Sequence, residues 1–250
     1  MAASRWPIAV VLAGLALLAP SASRADFIAP PSAEEADRIV ALDNLPLERR
    51  GEVGNLIKAE PIHVLIKTSP FLTTHQVYEY LLDRLPLATT LGRVLKLSPY
   101  VVERIGPATY RSSDQNGLEG VLSELVADDG NRVYFGRGRY DGFFLRGVTG
   151  QAVIVLNYRE VQLADGSTAM ANTVHFLVLF DDPVLQGVAR LIGSLLQGLV
   201  EGKITAAVSS AQRLTELLAS DPKKVFTAMS DGDSFTQAER VEFARLFLQP

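Results

Sequence analysis

Apolar positions along the chain change their spacing repeatedly, and each change predicts a new element. Trp6 to Ala19 is an unbroken apolar run behind a single positive charge at Arg5. Asp26 to about Pro61 is polar and irregular: Pro30, Pro31 and Ser32 open it, Ala33 to Leu42 can form a short acidic helix, and Pro46, Gly51 and Gly54 should break any longer element between Leu45 and Asn55. Ile62-His63-Val64-Leu65-Ile66-Lys67 is β-branched-rich and bounded by Pro61 and Pro70, which predicts a strand. Thr73 or Thr74 can cap a following helix, in which Val77, Tyr78, Leu81, Leu82 and Leu85 recur at helical spacing. Pro86 interrupts that helix. A second helical piece runs through Leu87 to Leu97 and closes at Pro99.

From Tyr100 to Phe180 the period shortens to that of strands. Leu118–Ala127, Arg132–Tyr140, Gln151–Val161 and Asn172–Phe180 alternate or are rich in β-branched and aromatic residues. Asp114-Gln115-Asn116-Gly117, Asp128-Asp129-Gly130-Asn131, Asp141-Gly142 and Asp165-Gly166 supply turns between them. Closely spaced strands joined by short turns predict an antiparallel meander. At Asp182-Pro183 helical spacing returns, with Asp182 as N-cap and Pro183 in the first turn. Val184, Val188, Leu191, Leu195 and Leu199 carry it on to Leu214 and Leu218, and it stops before Asp221-Pro222. Gly187, Gly193, Gly198 and Gly202 interrupt this long helix and are expected to mark a close approach to the sheet or a bend. Thr236-Gln237-Ala238-Glu239 has the form of a capping box ahead of a last short helix.

The first regime has a meaning of its own. The apolar run is shorter than the roughly 18 residues of a membrane span, and Ser23 and Ala25 have the small side chains that signal peptidase accepts. Residues 1–25 are therefore expected to be a cleaved signal peptide, with an N-terminal leader over 26–60, a main domain over 61–220 and a helical extension over 221–250. The chain has no Cys, which excludes lipoprotein acylation, disulfides and thiolate metal sites. An exported protein of about 225 residues without disulfides has to be held by its core, and a bacterial periplasm is the expected compartment. Loss of Arg5 and Arg24 would move the formal charge from −4 to −6, which gives no reason to expect nucleic acid as a partner.

The order of elements is a strand, two short helices, a run of antiparallel strands and one long amphipathic helix. It resembles the helix-grip fold of the START-like (SRPBCC) superfamily over roughly residues 60–220. The likeness is carried by that order, by Pro70-Phe-Leu-Thr-Thr-His-Gln-Val-Tyr-Glu-Tyr-Leu-Leu82 just after the first strand, and by Pro183 to Glu216 with its Leu-Val-Glu-Gly-Lys segment. The resemblance implies an α+β fold in which a curved antiparallel sheet grips a long C-terminal helix. It also implies a cavity between the two for a lipid or another apolar small molecule. No universal catalytic residue comes with it.

Residues that could carry chemistry are few. His63, His75 and His175 have no mutual spacing that suits a metal on one helix, so no metal and no cofactor are expected. There is no Gly-x-Ser-x-Gly elbow. Gly136-Arg137-Gly138-Arg139 lacks the Lys of a phosphate loop, but Arg137 and Arg139 share one strand face and could hold an anionic headgroup at a pocket mouth. Ser230-Asp231-Gly232-Asp233-Ser234 fits no register of a calcium loop. Tyr134, Tyr140, Phe143, Phe144, Tyr158, Phe176 and Phe180 all fall in the predicted sheet. They either fill a core or line a cavity, with Tyr158 or Asn157 as polar tips. The candidate cavity set is Tyr134, Tyr140, Tyr158, Phe176 and Phe180 from the sheet, with Leu195 and Leu199 from the long helix.

The expected function is periplasmic carriage or sensing of a lipid or other hydrophobic molecule, without catalysis, compatible with transient membrane contact. An enzyme, such as a cyclase or hydrolase acting on an apolar substrate in the same cavity, is the alternative. It would need Glu160, Asp141 or His175 to project into the cavity. A ligand-free envelope interaction module is the third reading.

Overall fold

The computed structural model describes residues 23–27, 31–141, 147–182 and 193–248, without the side chains of 23–27, 193–201, 203 and 204. Residues 1–22, and with them the apolar run of the predicted signal peptide, lie outside this set.

An antiparallel sheet organises the chain. Its strands are β1 (Ser23–Phe27), β2 (Ile62–Thr68), β4 (Val101–Gly106), β5 (Thr109–Ser113), β6 (Leu118–Asp128), β7 (Asn131–Tyr140), β8 (Val148–Gln162) and β9 (Thr168–Phe180), with a two-residue β3 (Phe71–Leu72). The order across the sheet is β1-β2-β9-β8-β7-β6-β5-β4, and β3 pairs separately with β9. From β4 to β9 each strand pairs with the next, which is the predicted meander. The first main strand, β2, closes against the last, β9. The predicted strands lie inside β2 and β6–β9, while β4, β5 and the short β1 and β3 were not separately legible. The predicted cleavage point after Ala25 falls within β1.

Each face of the sheet carries its own helical layer. On one face, α1 (Ala33–Val40) and α2 (Leu47–Lys58) pack Ala36, Val40, Val53, Leu56 and Ile57 against Val133, Phe135, Val153, Val155 and Leu177. Residues 33–58 are thus part of the core. The expectation that Gly51 and Gly54 break this stretch is corrected: α2 runs through both. A glycine costs about 1 kcal/mol in a helix interior, and the burial of three aliphatic side chains on the sheet outweighs that.

On the other face lie α3 (His75–Leu82) and α4 (Leu85–Val94), then α5 (Gly193–Ser220), α6 (Pro222–Ser230) and α7 (Gln237–Phe247). Thr74 caps α3 through its side chain, and the capping box of Thr236 and Glu239 opens α7 as predicted. Val208 of α5 packs with Val64, Ile66 and Val174 of the sheet. Further along, Leu214 and Leu218 join Leu81, Leu91, Val225, Met229 and Phe243 in a helical core. Arg84, between α3 and α4, donates to Glu242 of α7 at 2.5 Å, so the C-terminal helices and the α3–α4 pair are packed as one body. The predicted start of the long helix, near residue 184, lies outside the described residues. A methyl group on Gly202 would meet nothing within 4 Å, so this glycine marks no close approach to the sheet.

One row of the sheet has no side chains on this second face. Gly120 of β6, Gly138 of β7 and Gly150 of β8 stand side by side in register, and Phe180 of β9 ends the row. A Cβ on Gly120 would come within 2.6 Å of the Arg137 carbonyl oxygen, and one on Gly150 within 2.8 Å of that of Leu179. Strands this tightly coiled leave no room for Cβ.

Two glycine substitutions should therefore act in opposite directions. Gly150→Ala should destabilise by about 1–3 kcal/mol through overpacking. Gly51→Ala, with nothing within 4 Å, should stabilise by about 0.5–1 kcal/mol as a helix-interior replacement. Urea unfolding of both variants measures the contrast, and equal signs would refute this account of the row.

Candidate functional site

Strand alternation sorts the residues around the glycine row onto two faces. On the α5 side, Leu122, Tyr140, Val148, Ile154, Phe176 and Phe180 surround the row and line a cavity of about 270 Å³. The glycines supply its floor, since an ordinary side chain there would occupy the space and strike the neighbouring strand. Ala152 and Val178 complete the wall. Among the described residues apolar side chains dominate the lining, which also takes in Ser112 and the intervening strand residues Glu119, Arg137, Arg139, Thr149 and Gln151, whose side chains alternation directs to the other face. Of the sequence-predicted set, Tyr140, Phe176 and Phe180 come together here. The side chains of Leu195 and Leu199, and residues Phe143 and Phe144, lie outside the described set.

Tyr134 and Tyr158 lie on the same face but outside this lining, toward α3. Both are buried. Tyr158 belongs to a polar network centred on Arg132, whose side chain is only 6% exposed. Arg132 donates to Glu79 and to Asp83 (2.8 Å) of the α3 region and to Glu124 (3.3 Å) of β6. A bulge between Glu124 and Val126 makes this arrangement possible. It turns Leu125 and Val126 toward the α1–α2 layer while Glu124 faces Arg132. The Tyr158 hydroxyl donates to Glu79. Burial raises the Tyr158 hydroxyl to about 12, with the Glu79 hydrogen bond adding to the rise. Burial works against the Arg132 charge, but the hydrogen bonds it donates to Tyr158, Asp83 and Glu79 outweigh it and hold the guanidinium protonated. In the same interior Asn172 donates to the Tyr78 hydroxyl at 2.7 Å.

Arg137 and Arg139 occupy the opposite face, as alternation requires. Arg137 pairs with Glu52 of α2 and lies 5.8 Å over the Phe135 ring. Arg139 pairs with Asp141 at 3.0 Å. With Arg111 they line an open cleft of about 600 Å³ on the outer surface. Each of the three is matched by a carboxylate, Glu103 standing 3.8 Å from Arg111. The ionisable groups that an enzyme would need do not converge on the apolar cavity either. Glu160 and Asp141 are exposed, and His175 is on the α1 face.

His175 does meet a partner that sequence spacing could not show. His63 and His175, 112 residues apart, stack with ring centroids 5.2 Å apart, and Nε2 of His63 lies 3.0 Å from Nδ1 of His175. Adjacent strands β2 and β9 bring them together on a diagonal. Nδ1 of His63 is buried without a partner, so a bare acceptor there and an Nε2–H donating to His175 is the less costly tautomer. Burial lowers the pKa of His63, with Glu35 of α1 opposing the shift. Burial, then His63 and then Lys67, lowers His175 to about 4.

These interior groups make two predictions. His175 is harder to protonate folded than unfolded, where its ordinary value is 6.5. The unfolded chain therefore binds more protons below that value, and stability should fall as pH drops from 6.5 toward about 4. Urea midpoints across that window should fall less steeply in His175→Gln; an unchanged slope would disprove the assignment. Arg132→Ala should cost about 3–5 kcal/mol, because it strands the carboxylates of Glu79 and Glu124. A loss below about 1 kcal/mol would show that the network carries no weight.

No family model matches the chain, and no curated protein matches it. Among solved structures it is similar to a conserved protein from Geobacillus kaustophilus, with TM-score 0.42 and 10% identity over 62% of this chain and 97% of that one. It is also similar to protein Ms6760 from Mycobacterium smegmatis, with TM-score 0.34 and 16% identity over 64% of this chain and 91% of that one. What stands on its own is the architecture: an α+β chain built on a large antiparallel sheet with helices on both faces.

Proposed function

We propose that this chain is an exported, START-like helix-grip protein that binds a lipid or another hydrophobic small molecule between its sheet and its long C-terminal helix. The observation that carries the reading is the apolar cavity over the glycine row. Glycines floor it, aromatic and aliphatic side chains wall it, and none of the ionisable residues named for catalysis reaches it. A site with that lining favours burial of apolar surface, at roughly 25 cal/mol per Å², over recognition by charge.

The helix-grip assignment draws on the strand order. β2 precedes two short helices and pairs with β9, the last strand of the meander, and α5 follows. Packing of Val208 on Val64, Ile66 and Val174 is the kind of helix–sheet contact such a fold requires. The periplasm is proposed from the expected signal peptide over residues 1–25 and the lack of Cys. Among the described residues no helix is long and apolar enough to cross a membrane.

Filling the cavity tests the reading. Ala152→Trp places an indole among Ile154, Phe176 and Val178. It should abolish uptake of a fluorescent fatty acid or sterol while leaving the melting temperature nearly unchanged. Wild-type protein that takes up neither probe, and carries no bound lipid in native mass spectrometry after isolation from a periplasm, would overturn lipid binding. A Trp variant that takes up the probe normally would move the ligand elsewhere.

A further inference from the structure

We infer that His75, Glu79 and Asp129 form a binding site for a divalent transition-metal cation of the zinc class, at the junction of α3 and the β6–β7 turn. His75 and Glu79 are one helical turn apart on α3, so both side chains leave the same face. Asp129 comes from the turn between β6 and β7. Nε2 of His75 lies 3.0 Å from Asp129 Oδ1 and 3.5 Å from Glu79 Oε1. The three potential ligand atoms all lie within 4.8 Å of one another.

Nε2 carries at most one hydrogen, and two carboxylate oxygens approach it. Nδ1 is on the far side of the ring, so Nε2 alone faces both; Glu79 Oε1 also accepts from the Tyr158 hydroxyl and Asp129 reaches solvent. A cation between the three atoms satisfies all of them. Zinc bonds of roughly 2.0–2.2 Å to nitrogen and oxygen put neighbouring ligands roughly 3.3–3.5 Å apart in a tetrahedron. Two of the observed separations, 3.0 and 3.5 Å, lie close to that, and the third is within 4.8 Å.

The surroundings have the form of an outer ligand shell. Glu79 is oriented by the Tyr158 hydroxyl on Oε1 and by Arg132 on Oε2. Hydrogen-bonded carboxylate ligands of this kind are a common feature of metal centres. Charge balance points the same way. Glu79, Asp83, Glu124 and Asp129 are joined through one guanidinium and one imidazole. Three protein ligands of this type leave a fourth position open to water. With Asp129 85% exposed, the site is reachable from solvent.

Titration of metal-stripped full-length protein with zinc chloride, followed by calorimetry and by the melting temperature, tests this. One equivalent should bind saturably and raise the melting temperature. His75→Ala and Asp129→Ala should each abolish that binding. Circular dichroism checks that the variants fold, and the exposure of Asp129 makes Asp129→Ala the safer of the two. Tyr158→Phe should keep the site but weaken it by about 10–100-fold, as removal of an orienting hydrogen bond does. A cobalt(II) titration adds a visible spectrum whose intensity reports four-coordination. Absence of saturable binding in the wild type overturns the assignment, and so does undiminished binding in either alanine variant.

Discussion

The coiling of one sheet is the constraint on which the remaining structure depends. Gly120, Gly138 and Gly150 stand in one register where a Cβ would meet the backbone of the neighbouring strand. Coiling of that degree makes the two faces unequal. One face takes the α1–α2 layer and fills with Val133, Phe135, Val153 and Val155. The other carries a floor without side chains, and among the described side chains its helices contact β2 and the far ends of β8 and β9. The cavity is thus a consequence of backbone geometry and of missing side-chain volume. Larger residues would have to be accommodated by straightening three strands at once.

That second face is divided along the strands. Toward the β7 end that holds Gly136 to Tyr140 it is apolar. Toward Arg132 it is polar and closed by α3. A buried guanidinium is costly unless its hydrogen bonds are met, and Arg132 has Glu79, Asp83, Glu124 and Tyr158. Their geometry is demanding: two come from α3 and its C-terminal end, one from β6 just before a bulge, one from β8. A network with those origins fixes the angle at which α3 meets the sheet. It contributes to the specificity of the packing more than to its net free energy, since an apolar cluster of the same volume could be equally stable.

Much of this was legible in the chain, and what was not has physical reasons. Period-two runs and Asp-Gly turns were enough to locate β6 to β9, because sheet residues two apart share a face and turns need their own residue types. Caps at Thr74 and Thr236 were readable because capping is local. α2 was not, since Gly51 and Gly54 argue locally against a helix and only the sheet beneath Val53, Leu56 and Ile57 argues for it. Tyr140, Phe176 and Phe180 were recognised as aromatics of the sheet, but their convergence depends on register. The glycines were visible singly, in Gly136-Arg137-Gly138-Arg139, yet the row exists only once β6, β7 and β8 are aligned. The His63–His175 pair and the meeting of Asp129 with His75 are likewise products of strand pairing and helix docking, which no spacing rule encodes.

The same reasoning explains why the arginines of that tetrapeptide serve the outer face. In a strand, residues that flank a glycine of the floor must point away from it. Gly136 and Gly138 leave the cavity open, so Arg137 and Arg139 are carried to the other side, where Glu52 and Asp141 meet them. Alternation of Gly with Arg therefore does two things at once. It removes volume from one face and places paired, solvated charge on the other. An apolar ligand on the inner face would then be separated from paired charge on the outer one by a single layer of backbone. Affinity at the inner site has to come from surface removed from water, and not from the arginines that the sequence places beside it.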